Sequence, residues 1–373
     1  MAKAEQDLKS ILDGGFNPRE FPWYEPDLAE VPQPAKKILE SRIPSEEVLD
    51  HVKKVRDRAF AVFPYPCIGA FRFLDMSVKQ SPLYAEILER LKSGEKLLDV
   101  GCAVGQELRQ LVFDGVPSDN LYASDLRRDF FDIGYDLFND HDTLKSNFIM
   151  ADIFDDNSDL VKKLTNRIDI VNAASFFHLF DWDKQVTIAK RLIGLLQDKP
   201  GSLLIGRQVG RVDPPPPEQK HEAGQHYRHD PATWKKLWEQ VGEETGTKWE
   251  VEAWMEKWAG ADSMMKTFHG GLETFKLRFT WTIHINAING ILMVNGITKQ
   301  SLSIDALDIL LGNYRIIGAS SHTPHQMREL IEFSQSMVPW EAHMATFDNI
   351  AGIQKAIELL ENGKTAGRFG IIF

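Results

Sequence analysis

The chain has 373 residues, of which 43% are apolar and 26% charged, with a formal net charge of −11. These values suit a soluble globular protein with room for one large domain and a smaller one. The acidic balance and the lack of a clustered Lys/Arg run weigh against a nucleic-acid substrate, and no apolar run reaches membrane-spanning length. Two cysteines, Cys67 and Cys102, give no disulfide framework. The opening residues lack the basic-then-apolar pattern of a secretion signal, so a cytoplasmic setting is expected.

Residues 1–94 are expected to form a cap of helices and loops. Phe21-Pro22-Trp23-Tyr24-Glu25-Pro26 and Val31-Pro32-Gln33-Pro34 break any early helix. Residues 45–60 read as an amphipathic helix opened by Ser45 with two acidic residues behind it. The aromatic, Pro-rich run Phe63 to Phe71 reads as a structured loop, and a helix is predicted at 81–92.

From Glu95 the pattern becomes strand, turn, helix, repeated. Apolar runs at 96–100, 121–124, 148–151, 168–174 and 202–206 predict strands, with helices near 105–113, 128–138, 155–165 and 182–197. Such alternation predicts an α/β, Rossmann-like fold: a mostly parallel sheet covered on both faces. A rigid loop at Pro214–Pro217 follows, either an active-site lid or a simple loop. A helix near 231–243 and strands at 249–254 and 276–284, an antiparallel edge, complete a core spanning 95–284. Residues 285–373 read as a partial α/β unit, with strands at 291–296, 315–319, 343–347 and 368–373 and helices at 303–312, 324–336 and 349–361.

Leu97-Leu98-Asp99-Val100-Gly101-Cys102-Ala103-Val104-Gly105 is the most informative stretch. An apolar strand ends in an acid, and a glycine-containing turn opens a helix whose free N–H groups face a ligand. A dinucleotide fingerprint needs small residues at the first, third and sixth positions, but the sixth is Gln106. Small residues at first, third and fifth, with Asp99 two before, suit S-adenosylmethionine instead. Asp125, after Ser124, ends the next strand, where a carboxylate can accept both ribose hydroxyls. Asp152, after Ala151, can accept from the adenine amino group, with Leu126 and Ile153 either side of the ring. For each acid the alternative is a helix N-cap, although three acids at consecutive strand ends make that joint alternative weaker.

At these residues the sequence resembles the class I methyltransferases. It is more closely similar to a fungal family that methylates polyketide-terpenoid (meroterpenoid) intermediates. That resemblance runs from about Trp23 to His284. It is carried by Leu97-Leu98-Asp99-Val100-Gly101-Cys102, Ala151-Asp152-Ile153-Phe154-Asp155, Ala174-Ser175-Phe176-Phe177-His178-Leu179-Phe180-Asp181-Trp182, Gly201 to Gly210 and Tyr227-Arg228-His229. Ala103 departs from the superfamily, which often has glycine there. The resemblance implies methyl-ester formation on a lipophilic carboxylic acid, and a dimer. A carboxylate is ionised at neutral pH and needs no strong base, whereas a phenol acceptor, the alternative, needs one.

The fourth strand ends at Ser175, placed with the cofactor residues, and leads to His178, at the edge where open sheets bind ligands. His178 either orients the acceptor or acts as base, or is a structural histidine in an aromatic cluster. Arg207 either grips a substrate carboxylate or forms a surface ion pair. His221, His226 and His229 fit no standard zinc spacing, so no metal is expected. Trp234, Trp238, Trp249, Trp254 and Trp258 read as core and edge packing.

Residues 291–373 resemble the C-terminal part of medium-chain alcohol dehydrogenases and quinone reductases. The carriers are Ile291 to Gly296, Leu310 to Gly318 and Ala356 to Lys364. No NAD fingerprint occurs, so an oxidoreductase is not expected and the tail is assigned no catalytic role. A non-catalytic binding protein on a methyltransferase fold is opposed by the intact Asp99, Gly101, Gly105, Asp125 and Asp152.

Overall fold

The computed structural model describes residues 17, 21, 23–217 and 226–256, together with the backbone of strands at 274–284, 291–295 and 315–319. Two compact units divide the chain, Met1–Ile285 and Asn286–Phe373.

The first unit opens with α1 (Ala35–Glu40), α2 (Ser45–Val62), the single turn α3 (Pro66–Gly69), 3-10 turns at Arg72–Leu74 and Val78–Gln80, and α4 (Tyr84–Lys92). Spacing of Val48, Val52, Val55 and Ala59 at three and four residues gives α2 one buried face. Ser45 is not its N-cap. Pro44 holds that position, and the Ser45 hydroxyl turns back to Glu40. The cost of burying the Arg56 charge on α2 is offset, because it donates to the carbonyls of Glu25 (2.6 Å) and Gly69 (2.9 Å) and to Asp57 (2.7 Å). Its guanidinium also stacks on Tyr24 and Phe71.

The core follows as β1 (Leu97–Val100), α5 (Gln106–Phe113), β2 (Leu121–Asp125), α6 (Asp129–Phe138), β3 (Asn147–Met150), α7 (Asp159–Leu164), β4 (Ile170–Asn172), α8 (Trp182–Leu195), β5 (Leu203–Arg211), α9 (Pro231–Thr245), β6 (Lys248–Glu256) and β7 (Thr274–His284). The sheet order is β3-β2-β1-β4-β5-β7-β6. Strands β1 to β5 are parallel, and β7 runs antiparallel between β5 and β6. This is the expected mostly parallel sheet with an antiparallel edge. One face packs on α4 and α5 through Ile87, Leu91, Leu108 and Leu111. The other packs on α7, α8 and α9 through Leu160, Leu192, Trp234 and Trp238. The N-terminal layer shares a separate apolar cluster with Phe130, Ile133 and Leu137 of α6.

Two strands differ from expectation. β5 runs on to Arg211 instead of ending near 206, because β7 pairs with it along its whole length. β4 is shorter than 168–174, although Ile168 still bridges to Leu196. α9 starts at a capping box, with Asp230 and Thr233 exchanging bonds and Pro231 at the first position.

In the second unit, β8 (Ile291–Asn295) and β9 (Arg315–Ala319) pair in parallel. The remaining tail elements expected from sequence lie outside the described residues.

Candidate cofactor and acceptor site

At the carboxyl end of β1 the chain makes a tight turn with Gly101, Ala103 and Gly105 all left-handed (φ +67°, +45° and +64°). The turn is bonded to β2, since the N–H groups of Gly101 and Cys102 both donate to the Ser124 carbonyl (2.8 and 3.1 Å). Asp125 closes it from the side. Its Oδ2 accepts from Ala103 N–H at 2.9 Å and its Oδ1 from Arg127 N–H at 3.0 Å. Each oxygen keeps a lone pair for a further donor. Burial raises the Asp125 pKa, opposed by those two backbone N–H groups.

Asp99 is buried in β1. Its Oδ1 accepts from Asn172 Nδ2 at 2.7 Å on the neighbouring strand, while Oδ2 is buried with no hydrogen-bond partner among the described residues. Burial, with the negative charge of Glu107 second, holds its pKa well above the ordinary value. A carboxylate in that state gains from a cationic partner. Glu107 itself is fully engaged: it accepts from Ser77 N–H and Oγ–H and from Val78 N–H, at 2.6–2.9 Å, and so bolts the N-terminal layer to α5.

None of the three acids is a helix N-cap. Gly105, Arg128 and Ser158 hold those positions for α5, α6 and α7. Ala151 N–H donates to the Asp125 carbonyl at 3.0 Å, which places Asp152 just beyond, exposed, with Oδ1 accepting from Phe154 N–H. Leu126 is exposed, and Ile153 is buried against the core with its carbonyl toward Arg191.

A second cluster lies where the chain leaves β4, beside the middle of β5. Ser175, left-handed at φ +56°, donates its N–H to the Arg207 carbonyl at 2.6 Å. Arg207 is buried, not at the surface. Its guanidinium reaches Ser175 Oγ and Asp75 Oδ2, both at 3.4 Å. Asp75 is held far more closely by Arg72, at 2.8 and 2.9 Å. Cys67 lies within the field of Arg207, and Tyr65 within that of Asp125 and Arg127. Burial first pushes the Cys67 thiol to about 11 and the Tyr65 phenol to about 12, so both stay protonated at neutral pH.

The structure thus brings Asp99, Gly101, Gly105, Ser124, Asp125 and Ala151 together, and joins Ser175 to Arg207. His178 occupies the 3-10 turn Phe177–Leu179, half-buried. His229 is enclosed by Trp182, Tyr227 and Trp234, with Nε2–H donating to Gln185 Oε1 at 3.1 Å. His226 is exposed, and His221 lies outside the described residues, as does Trp258. Among the described residues no group of three or more His, Cys, Asp or Glu is placed to hold a metal. Pro215 is tied down by the Tyr227 hydroxyl at 2.6 Å.

Sequence reasoning missed Tyr65, Arg72, Asp75 and Glu107. Only the i, i+3 spacing of Arg72 and Asp75 was visible, and it announces no more than a local pair.

The strand order and the bonded turn at β1 define a class I methyltransferase architecture. A family model described as the meroterpenoid methyltransferase N-terminal domain matches residues 23–74. O-methyltransferase phiE from a fungal species is 51% identical, over 62% of this chain and 79% of that one. The asnovolin E/chermesin D methyltransferase nvfJ of Aspergillus novofumigatus is 52% identical, over 61% and 82%. Methyltransferase adrK of Penicillium roqueforti is 48% identical, over 67% and 90%. The chain belongs to this family of fungal methyltransferases of secondary metabolism. No helix among the described residues is long and apolar enough to cross a membrane.

Proposed function

We propose that this methyltransferase uses S-adenosylmethionine to form the methyl ester of a carboxylic acid on a small lipophilic molecule. One observation carries the acceptor reading: Arg207 is buried in the middle of β5, yet among the described residues its guanidinium is held by two contacts of 3.4 Å. A buried guanidinium bonded that loosely is stabilised by an incoming carboxylate. A relative named as an O-methyltransferase and a meroterpenoid family model support an oxygen acceptor of that chemical class.

The residues fit the cofactor. The orphan Oδ2 of Asp99 suits an ammonium group, and Asp125 has lone pairs left for ribose hydroxyls. Asp152 is open to the adenine amino group, with Leu126 and Ile153 flanking the ring. When bound, S-adenosylmethionine supplies an electrophilic methyl on a sulfonium, which an oxygen lone pair takes up as the neutral thioether departs. Arg207 and Ser175 then fix the acceptor oxygen, and His178 orients the molecule bearing it. The aromatic N-terminal layer excludes water. No proton has to be removed from a carboxylate, in keeping with a Tyr65 and a Cys67 that stay protonated. We read the tail as non-catalytic.

Calorimetric titration tests the cofactor. Binding of S-adenosylmethionine, weakened at least ~10-fold in Asp125→Ala by loss of charge-assisted hydrogen bonds, is expected, with no heat from NADPH. Equal binding by the variant would remove Asp125 from the site.

A further inference from the structure

We infer that the acceptor carboxylate is gripped by two guanidinium groups, Arg207 of the core sheet and Arg72 of the N-terminal layer. Asp75 occupies this pair as an internal place-holder until the acceptor arrives. The inference rests on the carboxylate reading above and names the residues that would recognise it.

The contacts of Asp75 are one-sided. Arg72 Nε, Arg72 Nη2 and Arg207 Nη2 all converge on its Oδ2, at 2.9, 2.8 and 3.4 Å. Two cations therefore meet at one carboxylate oxygen in a largely buried place. The Arg207 contact is longer than the 2.7–2.9 Å usual for a charge-assisted bond, so the bridge is completed on the Arg72 side alone. Each arginine also feels the other. Burial presses the Arg72 pKa down, Asp75 opposes, and Arg207 adds to the downward push.

The trio is partly open. The Arg207 side chain is 7% exposed, but those of Asp75 and Arg72 are 23% and 21% exposed. An acceptor can reach the bridge where Asp75 sits and replace it. The backbone is held firm for this exchange. Gln80 Nε2 donates to the Asp75 carbonyl at 2.6 Å, and Ser77 is bolted to Glu107.

Backbone strain marks the same place. Among the described residues, four that are neither glycine, asparagine nor aspartate adopt positive φ: Phe71, Met76, Ala103 and Ser175. Phe71 and Met76 bracket the Arg72–Asp75 turn, Ser175 touches Arg207, and Ala103 lies in the cofactor turn. Strain of this kind gathers where surrounding structure fixes a functional geometry.

Benzoate, a small apolar carboxylate, is the probe, titrated calorimetrically into the full chain loaded with S-adenosylmethionine. Arg207→Gln and Arg72→Gln should each weaken benzoate by ~10-fold or more, the scale of a lost charge-assisted pair. Asp75→Asn, which removes the internal competitor, should tighten it severalfold. Unchanged cofactor affinity in each variant establishes folding, and Arg72→Lys should recover only part of the loss because it lacks the planar fork. Weaker benzoate binding in Asp75→Asn, or unaltered binding in Arg72→Gln, would overturn the proposal and leave Arg72 and Asp75 as supports for Arg207. Methyl-ester formation with those two variants unaltered would sink the two-armed site and spare the ester reading. Benzoate held by both arginines in a protein that methylates only phenols would do the reverse.

Discussion

Ala103 occupies a left-handed position in the cofactor turn, where its N–H must reach Asp125. A side chain there costs about 1–2 kcal/mol, which gives a physical reason for glycine at this place in related enzymes. Glycine would relieve that strain but lose about 0.4–1 kcal/mol through the freer unfolded chain. Ala103→Gly is therefore expected to raise Tm by about 1–3 °C, with cofactor affinity kept. A fall in Tm on thermal unfolding would show that the turn is not strained. The glycines and Asp99 of this turn were legible because turn chemistry is local. Arg72 and Asp75 were not: Asp75 meets Arg207 across 132 positions of sequence, and nothing near either residue announces the other.

At the scale of elements, α6 comes close enough to the cofactor turn that only glycine fits. A Cβ on Gly134 would lie 2.3 Å from the Val104 carbonyl oxygen, which is backbone and cannot step aside. Gly134→Ala should destabilise the fold by about 1–3 kcal/mol, read as a lower urea midpoint, with weaker cofactor binding as α6 and the turn part. An unshifted midpoint would mean that the helix slides freely.

Tyr227–His229 joins β5, α8 and α9 in a similar way. Arg211 N–H donates to the His229 carbonyl at 3.0 Å, and Gln185 Nε2 donates to the carbonyls of Phe180 and Tyr227, both at 2.9 Å. Burial pushes His229 down from 6.5 to about 3, so the folded chain keeps it neutral while the unfolded chain takes up a proton below 6.5. Its stabilisation is complete above about pH 7 and is reduced by about 2 kcal/mol at pH 5. Wild type should lose that much more than His229→Gln in urea titrations at the two pH values, and equal losses would deny the buried neutral ring. Sequence reading expected no metal at this histidine and gave no sign that its ring is buried. Its Trp182, Tyr227 and Trp234 enclosure is assembled from distant segments, as is the extension of β5, whose polar Arg207 and Gln208 do not look like strand interior until β7 pairs with them.

For the whole molecule, the alternation of strands and helices was enough to predict the parallel sheet, its covered faces and its antiparallel edge. What alternation could not supply was the role of the N-terminal layer. It reads as a cap, yet it delivers Tyr65, Cys67, Arg72 and Asp75 to the ends of the core strands and is fastened there through Glu107. The proposed acceptor site thus lies between layer and sheet, where Arg72 and Arg207 meet Asp75 and where Tyr65 and Cys67 stay protonated at neutral pH.

The most direct test supplies methyl-labelled S-adenosylmethionine and a panel of lipophilic acids, each paired with the phenol or alcohol of the same skeleton. Label is expected in the acids alone, released as methanol by mild alkali as an ester must be, and lost in Arg207→Gln. Alkali-stable label in the phenols would contradict it and make the enzyme an ether-forming methyltransferase.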